Sequence, residues 1–207
     1  MKVPYITKNE LMDILKKNGV KIDDSLKKAF ILCIKTHKDA RRDDGGPYLE
    51  QHIYPVVLDV IRYYNSEIPG KKIPQEIIIG ALLHDTLEDD REITGKRFKK
   101  IFDRKIWEIV RPLTKPRHRE DISEKELFLI NKKFFEKIIK SNEYSIIIKL
   151  ADRVNNMEAF YGFSTLDFPK YERYKKEVEK EYLPYTKKHN KYFYKRLTAV
   201  MKGLKKK

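Results

Sequence analysis

The chain has 207 residues, 41% of them hydrophobic and 37% charged, with only 8 Gly and 9 Pro. That length suits one domain with a sizeable core, and the sparse Gly and Pro favour long helices with little loop. No apolar run approaches the roughly 18 residues that a membrane span needs, and residues 1–15 mix charge with apolar residues, unlike a signal peptide. The net charge of +15, from 46 basic and 31 acidic residues, attracts polyanions: nucleotides, nucleic acid or a membrane surface. Lys202, Lys205, Lys206 and Lys207 form a basic tail, but the body stays strongly basic without it. The single cysteine, Cys33, excludes an intrachain disulfide, sits among apolar neighbours, and fits a reducing cytoplasm.

Thr7-Lys8-Asn9-Glu10 reads as a capping box, opening a helix that carries Leu11, Ile14 and Leu15 and stops at Gly19. From Asp23 to about Ala40 apolar residues recur at helical spacing. Asp43-Asp44-Gly45-Gly46-Pro47 is the clearest loop. Tyr48 to Tyr64 reads as a helix in which Pro55 marks an offset start, and Pro74 stands at the first position of the next.

That helix carries an apolar run, Ile77 to Leu83, broken abruptly by His84-Asp85 and then by Glu88, Asp89 and Asp90. On one continuous helix His84 and Glu88 would share a face, as would Asp85 and Asp89. Acidic groups at a helix C-terminus oppose the macrodipole, which argues against a plain solvent-facing end. Thr94 is an N-cap candidate for a helix from Gly95 to Phe102, and another surrounds Trp107. Pro112 and Pro116 bracket a break. A polar helix, Ser123 to Ser141, leads to a second apolar one, Tyr144 to Phe160, and Lys170 to Lys202 is amphipathic with an interruption at Pro184. No alternating strand pattern, internal repeat or linker is visible. The expected architecture is all-α, a single domain over 1–207.

The second apolar helix repeats the logic of the first: Asp152 breaks its core run, and Asn156 lies one turn on. His52 follows the Gly-Gly-Pro loop. His52, His84, Asp85 and Asp152 make a mixed imidazole and carboxylate set. Such a set suits Mn²⁺, Fe²⁺, Zn²⁺ or Mg²⁺ with positions open to water, and it excludes a closed thiolate zinc site.

The pattern H…HD…D resembles that of HD-domain metal-dependent phosphohydrolases, and the detail is closer to the hydrolase domain of RelA/SpoT-type alarmone enzymes. Ala81 to Asp90, ALLHDTLEDD, looks like that family's ALLHD-x-x-ED signature, and Lys149 to Met157, KLADRVNNM, looks like its KLADRLHNM. Thr36-His37 through Arg42, followed by Gly45-Gly46-Pro47-Tyr48, resembles a third family segment, and the likeness runs from about residue 30 to 190. Three differences stand out. Pro47 to His52 is one residue longer than in the family, His52 is followed by Ile-Tyr-Pro, and Asp39-Ala40 replace a Gly-Gln pair.

The resemblance implies a helical HD bundle with Mn²⁺ on His52, His84, Asp85 and Asp152. It implies that Glu88 and Asp89 position and deprotonate the attacking water. Arg41 and Arg42 would neutralise phosphate oxygens, and Asn156 would contact the nucleotide or support the metal site. The implied reaction is removal of the 3′-pyrophosphate of guanosine tetra- or pentaphosphate, an anionic nucleotide substrate, with no membrane partner. Another nucleotide or phosphoester substrate is the first alternative, and an RNA-binding protein on the same scaffold the second. His37 reads as a supporting or packing residue, His118 and His189 as surface, and Trp107, Tyr171, Tyr174, Tyr182 and Tyr185 as packing.

Overall fold

A computed structural model describes residues 4–115, 121–162 and 168–204; Pro116, His118 and Lys205 to Lys207 lie outside that range. Among the described residues seven helices begin at a side chain that accepts a hydrogen bond from the first-turn backbone, as short polar residues at such positions do, the last of them at Asn190. Thr7 caps α1 (Lys8–Lys17), with Glu10 completing the box, and Asp23 caps α2 (Asp24–His37). α3 (Tyr54–Glu67), α4 (Gln75–Leu83) and α5 (Thr86–Asp89) follow. Thr94 caps α6 (Gly95–Ile101), Asp103 caps α7 (Arg104–Leu113), Ser123 caps α8 (Glu124–Ile139) and Asn142 caps α9 (Glu143–Ala159). The chain ends in α10 (Phe168–Glu177), α11 (Leu183–His189) and α12 (Lys191–Leu204). Among the described residues there is no strand, only an isolated bridge between Arg41 and Pro47.

Two proline readings change. Pro112 does not bracket a break but sits inside the last turn of α7. Pro184 does not interrupt the C-terminal helices: the backbone stays helical from α10 through a π-helical turn, Val178–Tyr182, into α11, with Pro184 in the first turn of α11. The interruption falls at Asn190, in extended backbone between α11 and α12.

α4 is the centre of the bundle. Ile77 through Leu83 are all buried, because α2, α3, α7 and α9 surround the helix. α9 is its equal partner, burying Ile147, Ile148, Leu150, Ala151 and Val154 against α3, α4 and α12. Gly80 sets how closely these helices approach. A β-carbon there would lie 2.5 Å from Ile109 Cγ2 on α7 and 3.0 Å from Ile148 Cδ1 on α9. One hydrophobic cluster runs through the whole bundle. The two helices whose apolar runs end in His-Asp and Asp therefore lie side by side.

Gly80→Val places a branched side chain against the stiff Ile109. Overpacking of this kind costs about 1–3 kcal/mol or more, so thermal denaturation should show Tm lower by several degrees with the helical circular dichroism retained. An unchanged Tm would mean that the α4–α7 contact is not close-packed in solution.

Candidate functional site

α4 stops at Leu83, and His84 and Asp85 form a turn before α5 begins at Thr86. Asp85 (φ −98°, ψ −9°) lies in the sparsely populated bridge region, and its carbonyl accepts from the N–H of both Glu88 and Asp89 at 3.0 Å. His84 and Glu88 are thus not on one continuous helix face. The break has a physical reason: a straight continuation would carry the acidic residues along the core axis, whereas the turn directs them into a cavity.

His84 donates from Nδ1 to the Ala81 carbonyl at 2.8 Å, leaving Nε2 buried and without a hydrogen-bond partner. His52 is arranged the same way through another chain of contacts. Its Nδ1 lies 2.5 Å from Asn155 Oδ1, and Asn155 Nδ2 donates to the Gln51 carbonyl at 3.2 Å, so Oδ1 is the acceptor and Nδ1 carries the proton. With Nδ1 engaged on each ring, the Nε2 atoms of both imidazoles are turned toward one point, the orientation that metal-ligating histidines take. Asp152 arrives from α9 with Oδ1 3.6 Å from His52 Nε2 and 4.0 Å from His84 Nε2. Ligand atoms of His52, His84 and Asp152 all lie within 4.8 Å of one another. Asp85 Oδ2 lies 3.2 Å from each histidine Nε2. The orphaned His84 nitrogen and the buried mixed donor set fit a divalent cation.

The local field is strongly negative. Burial alone would depress His84, but Asp85 and Asp152 outweigh it and hold the imidazole up at about 9. Burial, with Arg42 adding to it, pushes His52 down. Asp85 is held well below the usual carboxylate range by His84 and His52 against its burial, and Asp152 is lowered against burial by Lys149 and His52. Burial and the charge of Asp85 raise Glu88, and burial with Asp85 and Glu88 pushes Asp89 up to about 7. His37 is buried, pushed down to about 4 by that burial, and faces Asp89 at 3.5 Å as a neutral ring.

A cavity of about 400 Å³ opens onto these groups. Glu88 and Asp89 line it, as do Arg41 and Arg42. The Gly-Gly-Pro loop places the arginines. Gly45 takes φ +83°, and a β-carbon on Gly46 would collide with the Gln51 side chain. The turn closes through Arg42 N–H to Gly46 O at 2.8 Å and Tyr48 N–H to Ala40 O at 3.1 Å. Arg42 donates from Nη1 and Nη2 to the same oxygen, Asn156 Oδ1, at 3.2 and 3.3 Å, and Asn156 Nδ2 in turn donates to Asp152 Oδ1. Asn156 therefore joins the arginine side of the cavity to the cation side.

The residue inserted before His52 is taken up in a π-helical turn, Leu49–Ile53, which holds one residue more per turn than an α-helix and leaves His52 buried and facing the site. Pro55, just after the turn, has no N–H to give; the Glu50 carbonyl accepts from the Ile6 N–H at 3.0 Å and the Gln51 carbonyl from Asn155 Nδ2 at 3.2 Å.

Three site residues were not legible as such in the sequence. Tyr48 donates from its hydroxyl to Asp85 Oδ2 at 2.7 Å, and its ring contacts both His37 and His52. Lys149 holds Asp152 Oδ2 at 2.6 Å. Asn155 orients His52. Tyr48 and the NN pair stood inside the quoted motifs, but their partners are 37, 103 and 104 residues away. Two tyrosines of the C-terminal region do more than pack: the rings of Tyr174 and Tyr182 each lie 4.6 Å from the buried Arg153 guanidinium. His189 is exposed, as expected.

A helical bundle with His, His-Asp and Asp converging from three segments is the arrangement that the H…HD…D resemblance predicts. No protein-family model matches the chain. It is similar to a GTP pyrophosphokinase rsh of Brucella melitensis, 26% identical over 149 residues, 72% of this chain and 18% of that protein. It is also similar to the bifunctional (p)ppGpp synthase/hydrolase SpoT of Escherichia coli, 29% identical over 135 residues, 64% of this chain and 17% of that protein. The chain spans less than a fifth of the length of these curated relatives. Among solved structures it is similar to a metazoan ortholog of SpoT described as hydrolysing ppGpp, with a TM-score of 0.63 and 20% identity over 88% of this chain and 97% of that one. In sequence the chain is similar to these RelA/SpoT-type proteins over about two thirds of its length, and in fold it is similar to the SpoT ortholog.

Asn155→Leu keeps the volume but removes the group that selects the His52 tautomer. Calorimetric titration with Mn²⁺ should show binding weakened about 10- to 100-fold, the range typical of lost outer-shell partners. Unaltered affinity would reduce Asn155 to a packing residue.

Proposed function

We propose that this domain removes the 3′-pyrophosphate from guanosine tetra- or pentaphosphate, using Mn²⁺ held by His52, His84, Asp85 and Asp152. The observation that carries the reading is one cavity lined both by a buried imidazole–carboxylate cluster and by the Arg41–Arg42 loop. The curated relatives bear names of (p)ppGpp synthesis and hydrolysis, which supports the choice of substrate. A divalent cation in that cluster supplies positive charge to phosphoryl oxygens and makes a water more acidic.

The protein's own groups do the rest. Glu88 is anchored by the Lys115 N–H to Oε2 at 3.0 Å, so it orients the attacking water from a fixed position. Asp89, half exposed beside it and pushed up by partial burial and its carboxylate neighbours, accepts the water's proton. Arg42 exchanges its two long contacts to Asn156 for phosphate oxygens, which match its planar fork better than one amide oxygen does. Arg41 adds charge at the same rim. Tyr48 and Lys149 fix the Asp85 and Asp152 carboxylates. The described residues share one core, in keeping with a single domain. None of their helices is long and apolar enough to cross a membrane. A nucleotide substrate and the buried thiol of Cys33 suit the cytoplasm.

Assay of the protein with Mn²⁺ against ppGpp, pppGpp and a panel of other nucleotides tests the reading, with pyrophosphate release from the 3′ position expected. Release from other nucleotides but not from the guanosine alarmones would overturn the substrate. Asp85→Ala should lose both bound cation and turnover while staying folded. Glu88→Gln should keep cation and substrate and lose rate by about a hundredfold or more. Arg42→Ala should raise KM with the cation still bound; a KM equal to wild type would remove Arg42 from substrate binding.

A further inference from the structure

Positive charge also gathers away from the cavity. α7 and α8 leave between them a groove of about 500 Å³, walled by Trp107, Arg111 and Pro112 on one side and by Lys133, Lys137 and Lys140 on the other. The three lysines stand four and three residues apart, on one face of α8, over about 10 Å of helix. All four cations are exposed, and none of them has an ion pair among the described residues. Lys132, one residue away, is by contrast bound to Glu181 at 3.4 Å. Two carboxylates face the groove: Glu108, held by Arg104 at 2.7 Å, and Glu136. Trp107 packs on Phe98 and carries Lys99 Nζ over its ring at 4.6 Å, so the cationic file continues onto α6.

We propose that this groove binds single-stranded nucleic acid by its phosphate backbone, an activity separate from the hydrolysis argued above. Lysines are flexible point charges, and a row of them follows a polymer backbone without demanding a sequence. A dedicated site for one small nucleotide would need fixed, buried donors, and every charged or polar side chain lining this groove is exposed. The apolar wall of Trp107 and Pro112 beside the cations matches the alternation of base and phosphate along a strand.

Trp107 is the chain's one tryptophan, so its fluorescence reports the groove directly. Titration of the protein with a short oligouridylate should quench it. With four cations engaged and about 0.7 counterions released per phosphate, the slope of log K against log salt should be about −3. The double variant Lys137→Glu, Lys140→Glu should bind at least tenfold more weakly, with the slope roughly halved. Its Mn²⁺ affinity and its nucleotide hydrolysis should match wild type. Binding indifferent to that charge reversal, or binding without quenching of Trp107, would overturn the assignment. So would a poly-glutamate peptide or tripolyphosphate that binds as tightly as the oligouridylate.

Discussion

Two imidazoles and two carboxylates stand at the ends of the most deeply buried helices of this bundle, and their burial conditions the rest. Each such group costs several kcal/mol to remove from water without a partner. The protein answers with fixed partners on the far side of each group: Ala81 and Asn155 for the histidines, Tyr48, Lys149 and Asn156 for the acids. What those contacts leave over is one face per group, and the four faces converge. The core exists to hold these ends in register, which is why Gly80 must let α4 close against α7 and α9.

The fold was legible wherever a local signal decides the outcome. Capping residues at Thr7, Asp23, Thr94 and Ser123 mark helix starts because the hydrogen bond they make is three residues long in sequence. The runs Ile77–Leu83 and Ile146–Leu150 mark the core because nothing else accommodates them. Prolines 112 and 184 were harder, since a proline in the first or the last turn of a helix reads like one between helices. The turn at His84-Asp85 had no local signal at all: it answers to the cavity, a tertiary object.

The candidate site divides in the same way. Groups that belong to a short motif, His84-Asp85 and Glu88-Asp89, could be named from their neighbours. Groups whose meaning lies in a distant partner could not. Asn155 carried no reading of its own in the sequence, and only the geometry separates it from Asn156: one holds a histidine, the other bridges Arg42 and Asp152. The net charge was equally ambiguous. Its two concentrations, the rim of the cavity and the α7–α8 groove, involve different helices and different chemistry, one set against buried acids and the other facing solvent.

The proline after the π-helical turn has a wider meaning. In a regular helix the carbonyls point along the axis and are used mainly by the helix's own chain. Around this turn two of them serve distant parts of the chain: Glu50 accepts from the Ile6 N–H and Gln51 from the Asn155 side chain. The same irregular turn that seats His52 thus also seats the amide that orients it. A substitution at Pro55 that straightened the turn would loosen the histidine, although Pro55 does not line the cavity. Mutational surveys that sort residues by distance from a reactive centre would file such a position under stability, where it does not belong.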